Sequence, residues 1–273
     1  MKNTTKKLFN KVACLALAAM MVLSVFCVST PTEVSAAGLS FNSKGKSSVT
    51  ITDEQDTTAT GQPTWIKFTA KQDGYLKVTA KMASTKYTDF VQGYWTLYDK
   101  TKKKAVSPQS VYSTNYNDAS AYTTVFGVKK GVTYYLNVLS DGGVKLTASF
   151  TKVTDKSGTK KAKALSIKQK KDATGLIRVG DKNSDWYKFT LTKKQYLSIN
   201  ITPYATDSIT VNIVGPNKLK GNGIITKSWY GKKYSFEIVN QYDQPVKAST
   251  GTYYVQIKAT KKTTNGYYKI NWK

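Results

Sequence analysis

The sequence contains no histidine, and its two cysteines, Cys14 and Cys27, both fall in the first thirty residues. A Ser-His-Asp triad, a Cys-His pair and an imidazole metal site are therefore excluded. The acid–base chemistry that remains belongs to carboxylates. Asp53, Glu54 and Asp56 are close in sequence, as are Asp181 and Asp185. Both groups sit in turn-like polar segments, where carboxylates are ordinarily solvated. Asp181-Lys182-Asn183-Ser184-Asp185 copies the opening of a calcium loop, but Trp186 stands where glycine is needed and Thr192 where the bidentate glutamate belongs. The EF-hand reading fails, and Asp181, Asn183 and Asp185 stay a candidate only for a calcium site of another kind. No phosphate-cradling glycine loop is present. We expect no cofactor and no catalytic residue; an enzyme would need a carboxylate pair assembled by the fold.

Aromatic and basic residues offer binding chemistry instead. All 19 tyrosines and all 5 tryptophans lie beyond residue 37. Rings with an apolar face and a polar tip suit sugars, extended peptides and protein surfaces. The basic residues are lysines apart from Arg178, and the formal net charge is +26. Lysine is a point charge without a planar fork, which favours diffuse attraction to a polyanion over reading of one group. The densest run, from Lys152 to Asp172, holds eight lysines, among them Lys160, Lys161, Lys163, Lys168, Lys170 and Lys171. No basic recognition helix accompanies them, so sequence-specific nucleic-acid binding is not expected.

The elements that position these residues read as strands. Apolar and polar residues alternate over short runs rich in Thr, Val, Ile, Tyr and Phe, separated by turn signals such as Gln72-Asp73-Gly74 and Asn265-Gly266. The runs also repeat. Trp65-Ile66-Lys67-Phe68-Thr69 recurs as Trp186-Tyr187-Lys188-Phe189-Thr190, and Tyr-Leu follows ten residues after each Trp, as Tyr75-Leu76 and Tyr196-Leu197. Tyr134-Tyr135-Leu136 is matched by Tyr253-Tyr254-Val255, and Leu39-Ser40-Phe41 by Leu165-Ser166-Ile167. Similarity in one order at nearly one offset, 119 to 126 residues, indicates two copies of one unit. The expected fold is all-β: two tandem antiparallel β-sandwiches of jelly-roll type, at 37–152 and 165–273, joined by a lysine-rich linker at 153–164.

The pleat then sorts the aromatics. With Leu76, Val78 and Ala80 inward, Tyr75 points out, and Tyr196 does so beside Leu197 and Ile199. Tyr135 and Tyr254 alternate with inward Tyr134 and Tyr253. Ile66-Phe68 and Tyr187-Phe189 face in, which turns Trp65 and Trp186 away. Trp229 and Tyr230 fall in a less regular stretch. These eight are the candidate ligand contacts. Outward aromatics also stabilise cross-strand pairs, which is the structural alternative for each.

Lys2, Lys6, Lys7 and Lys11, an apolar run from Val12 to Val28, and small residues at Ser35-Ala36-Ala37 have the order of a secretory signal, here expected to occupy 1–36. Residues 37–273 keep a charge of +23 and no cysteine, so disulfides are allowed outside the cell but none can form. A secreted, bacterial and Gram-positive origin fits that composition.

Asp185-Trp186-Tyr187-Lys188-Phe189-Thr190-Leu191, the Tyr196-Leu197 strand, Gly251-Thr252-Tyr253-Tyr254-Val255 and Gly266-Tyr267-Tyr268-Lys269-Ile270 together resemble the bacterial pre-peptidase C-terminal domain. The likeness covers roughly 162–273, and more weakly 38–152, where Gly61-Gln62-Pro63-Thr64 replaces the family's acids. It implies a jelly-roll-like accessory or binding module of secreted proteins, and no peptidase activity of its own.

The sequence thus points to a secreted, non-catalytic binding or adhesion protein, extracellular or non-covalently wall-associated. Its expected partner is an anionic polysaccharide or cell-wall polymer, such as teichoic acid or a sulfated glycan. The rival is an accessory module whose aromatics bind a surface protein and whose charge is incidental. No membrane span is expected once the leader is removed.

Overall fold

The computed structural model describes residues 46–51, 63–82, 90–115, 120–140, 143–182 and 184–273. The expected leader at 1–36 with Cys14 and Cys27, the opening Leu39-Ser40-Phe41, the Asp53, Glu54 and Asp56 group and Asn183 lie outside the described residues.

Alternation makes strands throughout. In the first half these are β1 (Lys46–Ile51), β2 (Thr64–Thr69), β3 (Gly74–Met82), β4 (Phe90–Tyr98), β5 (Ser110–Asn115), β6 (Tyr122–Val128), β7 (Thr133–Ser140) and β8 (Val144–Lys152). The second half has β9 (Leu165–Ser166), β10 (Ala173–Ile177), β11 (Asp185–Leu191), β12 (Ser198–Ala205), β13 (Ile209–Val214), β14 (Lys220–Ile225), β15 (Tyr234–Glu237), β16 (Gly251–Ala259) and β17 (Gly266–Trp272). Among the described residues there is no α-helix, only short 3-10 turns at Lys161–Lys163 and Lys227–Trp229.

The first half pairs as β1-β8-β3-β6 and β2-β7-β4-β5, the strand order of an eight-stranded jelly roll. The second half repeats it as β10-β17-β12-β15 and β11-β16-β13-β14, with β9 added outside β11. Pairing is antiparallel except between β9 and β11. Each half has its own apolar core. Leu76, Val78 and Ala80 are buried in one, and Ile199, Ile201 and Ile270 in the other.

Repeated sequence produces repeated contacts. Phe68 stacks on Tyr134 with centroids 5.4 Å apart, and Phe189 stacks on Tyr253 at the same distance. Across the next rung, the hydroxyls of Thr69 and Thr133 meet at 2.8 Å and those of Thr190 and Thr252 at 3.0 Å.

Residues 153–164 do not form a free linker. Asp155 accepts from the Leu176 amide at 2.8 Å and Ser157 donates to Asp185 at 2.8 Å. Gly158 pairs with Trp186 in both directions. The glycine and lysine composition hid this, because the partners lie up to 28 residues further along.

The sandwiches meet where the β6 edge abuts the end of the β10-β17-β12 sheet, and both belong to one compact unit. The Gly127 amide donates to the Asn265 side chain at 3.1 Å, and the Val179 amide donates to the Gly127 carbonyl at 2.9 Å. Asn265 is fully buried and its amide nitrogen donates to the Val106 carbonyl at 3.0 Å. A Cβ at Gly127 would run into the Ile177 carbonyl. Only glycine permits that approach. Arg178 adds a charged tie, reaching Asp73 of the first sandwich at 2.9 Å and Asp181 of the second at 2.8 Å.

Candidate functional site

The eight candidate aromatics, six of them expected to face outward, divide into three environments. Trp65 and Tyr135 leave the outer face of the β2-β7 pair, but they are covered there. Tyr98 sits edge-on to Trp65 at 5.1 Å, and the Lys102 ammonium lies 4.7 Å from the Tyr135 ring. Tyr254 is capped likewise by Lys161 at 4.6 Å, and Trp186 lies half-buried beside the Gly158 bridge. A cation over a ring face is held by the ring quadrupole, so the chain's own lysines occupy the faces a ligand would use. The pleat set these directions; the loops that close over them come from elsewhere in the chain and carry no local signal.

Tyr75 and Tyr230 lie between the sandwiches. Tyr75 stacks on Tyr267 at 4.1 Å, Tyr267 stacks on Tyr204 at 4.5 Å, and Tyr230 meets Tyr204 edge-on at 5.6 Å. Tyr75 does leave its own sandwich, but its ring face rests on the neighbour. Tyr204 and Tyr267 were missed by sequence reasoning, because nothing local marks the face of β12 and β17 that receives the other sandwich.

Tyr196 stays open. It is 61% exposed, and Tyr242, which no sequence pattern singled out, is 73% exposed. Tyr196 borders a groove of about 420 Å³ whose lining also includes Ser198, Glu237, Ile238, Pro245, Val246 and Lys273, and Tyr242 stands on the turn that leads into Pro245. The groove is best understood against its counterpart in the first sandwich. There Tyr75 pairs with Gly127, and the second sandwich closes over both. In the second sandwich, two residues past the Ser198–Glu237 pair, the equivalent positions are Tyr196 and Val239. Val239 is 43% exposed and carries the branched side chain that Gly127 lacks.

The segment after β15 is firmly built. Val246 donates to the Ile238 carbonyl at 2.9 Å and Ala248 to the Gln195 carbonyl at 2.8 Å. The Asn240 side chain accepts from the amides of Tyr242 and Gln244 at 2.9 and 3.0 Å, fixing the turn that presents Tyr242. Lys193 and Lys194 precede Tyr196, Lys247 follows Val246, and all three are exposed beside the groove's Lys273. Trp229, 38% exposed, lies at the other end of the β15 edge, edge-on to Tyr234 at 4.8 Å. The candidate site is this edge: exposed rings and apolar side chains among four exposed lysines and one carboxylate, Glu237.

The lysines at 160, 161, 163, 168, 170 and 171 are all exposed. They lie on the anchored segment before β10 and remain available to a polyanion, save that Lys161 is engaged with Tyr254.

The carboxylates depart from expectation. Asp185 is not solvated. It opens β11 and accepts from Tyr268 at 2.6 Å and from Ser157 at 2.8 Å, and Tyr268 also meets the Tyr187 hydroxyl at 2.9 Å. Burial, with the negative charge of Asp155 adding to it, pushes the Asp185 carboxyl up to about 7 against the pull of those two hydrogen bonds. Asp181 instead serves Arg178. Asp73, Asp155, Arg178, Asp181 and Asp185 line a polar cleft of about 430 Å³ at the junction. Each of its four carboxylates already has a protein partner. Among the described residues no group of three or more ligand-type side chains is placed to hold a metal, and Asp181 and Asp185 turn to different partners. No helix among the described residues is long and apolar enough to cross a membrane.

No protein-family model matches the chain. No curated protein matches it either. Several solved structures show a weak likeness to the chain. Tripeptidyl peptidase 2 is 11% identical with a TM-score of 0.27 over 78% of this chain, which spans only 21% of that protein. The N-terminal CBM22-1-CBM22-2 tandem domain of Paenibacillus barcinonensis Xyn10C is 7% identical, with a TM-score of 0.25 over 77% of this chain and 82% of that one. The ANXUR2 extracellular domain of Arabidopsis thaliana is 7% identical, with a TM-score of 0.22 over 76% of this chain and 80% of that one. Likeness at this level carries no functional argument, which must come from the residues themselves.

Proposed function

We propose that this chain is a secreted, non-catalytic binding protein that holds an anionic extracellular polymer, a cell-wall or glycan chain, at the open edge of its second sandwich. The observation that carries the reading is the groove beside Tyr196, with the exposed Tyr242 on the adjoining turn: an aromatic and apolar surface where exposed lysines outnumber its one lining carboxylate, Glu237. Residues 153–273 hold +16 of the charge and residues 37–152 hold +7, so the field is strongest in the half that bears the groove. Long-range attraction then concentrates the polymer and the rings give it a contact. The kinship with pre-peptidase C-terminal domains belongs to the same proposal, supported by the jelly-roll order and the strands that open at Asp185 and Gly266.

The test is sedimentation of the protein with isolated Gram-positive cell walls, before and after teichoic acid removal, across a salt series. Counterion release makes lysine-driven binding fall steeply as salt rises. Binding that ignores both salt and teichoic acid would favour the rival reading, an aromatic interface for a surface protein.

A further inference from the structure

The cleft between the sandwiches holds a buried hydroxyl without a partner. The turn at Lys227–Trp229 is fixed because the Tyr230 amide donates to the Lys227 carbonyl at 2.9 Å and the Gly231 amide to the Pro203 carbonyl at 2.7 Å. This turns Trp229 toward Tyr234 and Tyr230 inward, onto Tyr204. The Tyr230 hydroxyl is buried and has no hydrogen-bond partner. Burial pushes the Tyr230 phenol up, so it stays protonated and offers a donor. A buried donor left unmade is costly, and a folded protein tolerates few of them.

Two cavities meet at this residue. One, of about 300 Å³, is lined by Tyr75, Thr123, Tyr204, Tyr230 and Tyr267, with Lys77 at its rim. The other, of about 390 Å³, is lined by Tyr122, Thr123, Thr206, Ser228 and Tyr230, with Lys227 at its rim. Thr123 and Tyr230 belong to both, so the two make one cleft whose volume is that of a small-ligand site. Its walls are tyrosine rings and neutral hydroxyls, with Val125 and Ala205 between them. Among the described residues no carboxylate lines it, and the charges there are the two exposed rim lysines.

We infer that this cleft is a binding site for a short neutral saccharide segment, with Tyr230 donating to a sugar hydroxyl and the tyrosine and threonine side chains holding the ring faces and remaining hydroxyls. A sugar has an apolar ring face and a fringe of hydroxyls, which matches both the aromatic walls and the orphan donor. Each sandwich supplies half of the lining, so the site exists only in the joined pair. It is separate from the Tyr196 groove and does not depend on that groove's anionic ligand.

The test is calorimetric titration of the full protein with neutral tetrasaccharides of β-1,4-linked glucose, mannose, xylose and N-acetylglucosamine, at low salt and in 0.5 M sodium chloride. At least one should bind equally at both salts. Tyr230→Phe removes only the unpartnered oxygen, so it should leave the melting temperature unchanged or raised. It should weaken that saccharide about three- to tenfold, the worth of one net hydrogen bond. Tyr196→Ala should leave saccharide binding intact while weakening attachment to cell walls, which separates this site from the open edge. Failure of all four sugars to bind, or equal binding by Tyr230→Phe, overturns the inference.

Discussion

Replacing Asp185 by Asn should stabilise the protein most above neutrality, with a gain that shrinks steadily as pH falls and is about a quarter of its full size at pH 4.5. The carboxyl titrates near 7 in the folded chain against an ordinary 3.8. The folded state therefore keeps a proton that the unfolded state releases between those values, and stability falls as pH rises through that window. A shift of about three units, at about 1.4 kcal/mol each, sets an upper limit of about 4 kcal/mol at pH 8. Asn copies the protonated acid. Its oxygen can accept from Ser157 and its amide can donate to the Tyr268 oxygen, which frees the Tyr268 hydroxyl to donate to Tyr187. Thermal melts of both proteins at pH 4.5, 6 and 8 read the effect. For a unit of this size about 2–4 °C accompanies each kcal/mol, so the variant should gain on the order of 10 °C at most at pH 8. A difference between variant and parent that does not change with pH would refute the reasoning, because it would mean that Asp185 is ionised in the folded chain throughout.

The junction gives two further outcomes. Gly127→Ala forces a methyl into the Ile177 carbonyl and should cost about 1–3 kcal/mol, with faster proteolysis between the sandwiches and faster exchange of the Val179 amide. Arg178→Ala should cost less, about 1 kcal/mol, because its ion pairs are partly exposed, and the loss should shrink in high salt. Equal melting of Gly127→Ala and the parent, or a salt-independent loss at Arg178, would contradict these assignments.

Much of the fold was legible because burial follows the pleat. Leu76, Val78 and Ala80 are buried in sequence steps of two, and Tyr187 and Phe189 do the same in the second copy. The repeat also predicts matched pairs such as Phe68–Tyr134 and Phe189–Tyr253. What the pleat cannot supply is the cover on an outward ring. Lys102 over Tyr135 and Tyr267 against Tyr75 are contacts between segments that the strand pattern treats as independent. Asp185 reads as a solvated turn residue because Tyr268, which buries it, lies 83 residues away. Residues 153–164 read as a linker for the same reason. The open groove was half visible: Tyr196 follows from the repeat, while Tyr242 sits in a turn that the first sandwich does not have.

The most direct test of the central claim is cell-wall binding by the parent and by Tyr196→Ala with Tyr242→Ala, across salt. Both side chains are exposed, so the double variant should melt with the parent. The account predicts that parent binding needs the anionic polymer and weakens steeply with salt, and that the double variant binds about tenfold or more weakly, as loss of central aromatic contacts does. Equal binding by the double variant, or parent binding that persists without the anionic polymer and at high salt, would contradict it.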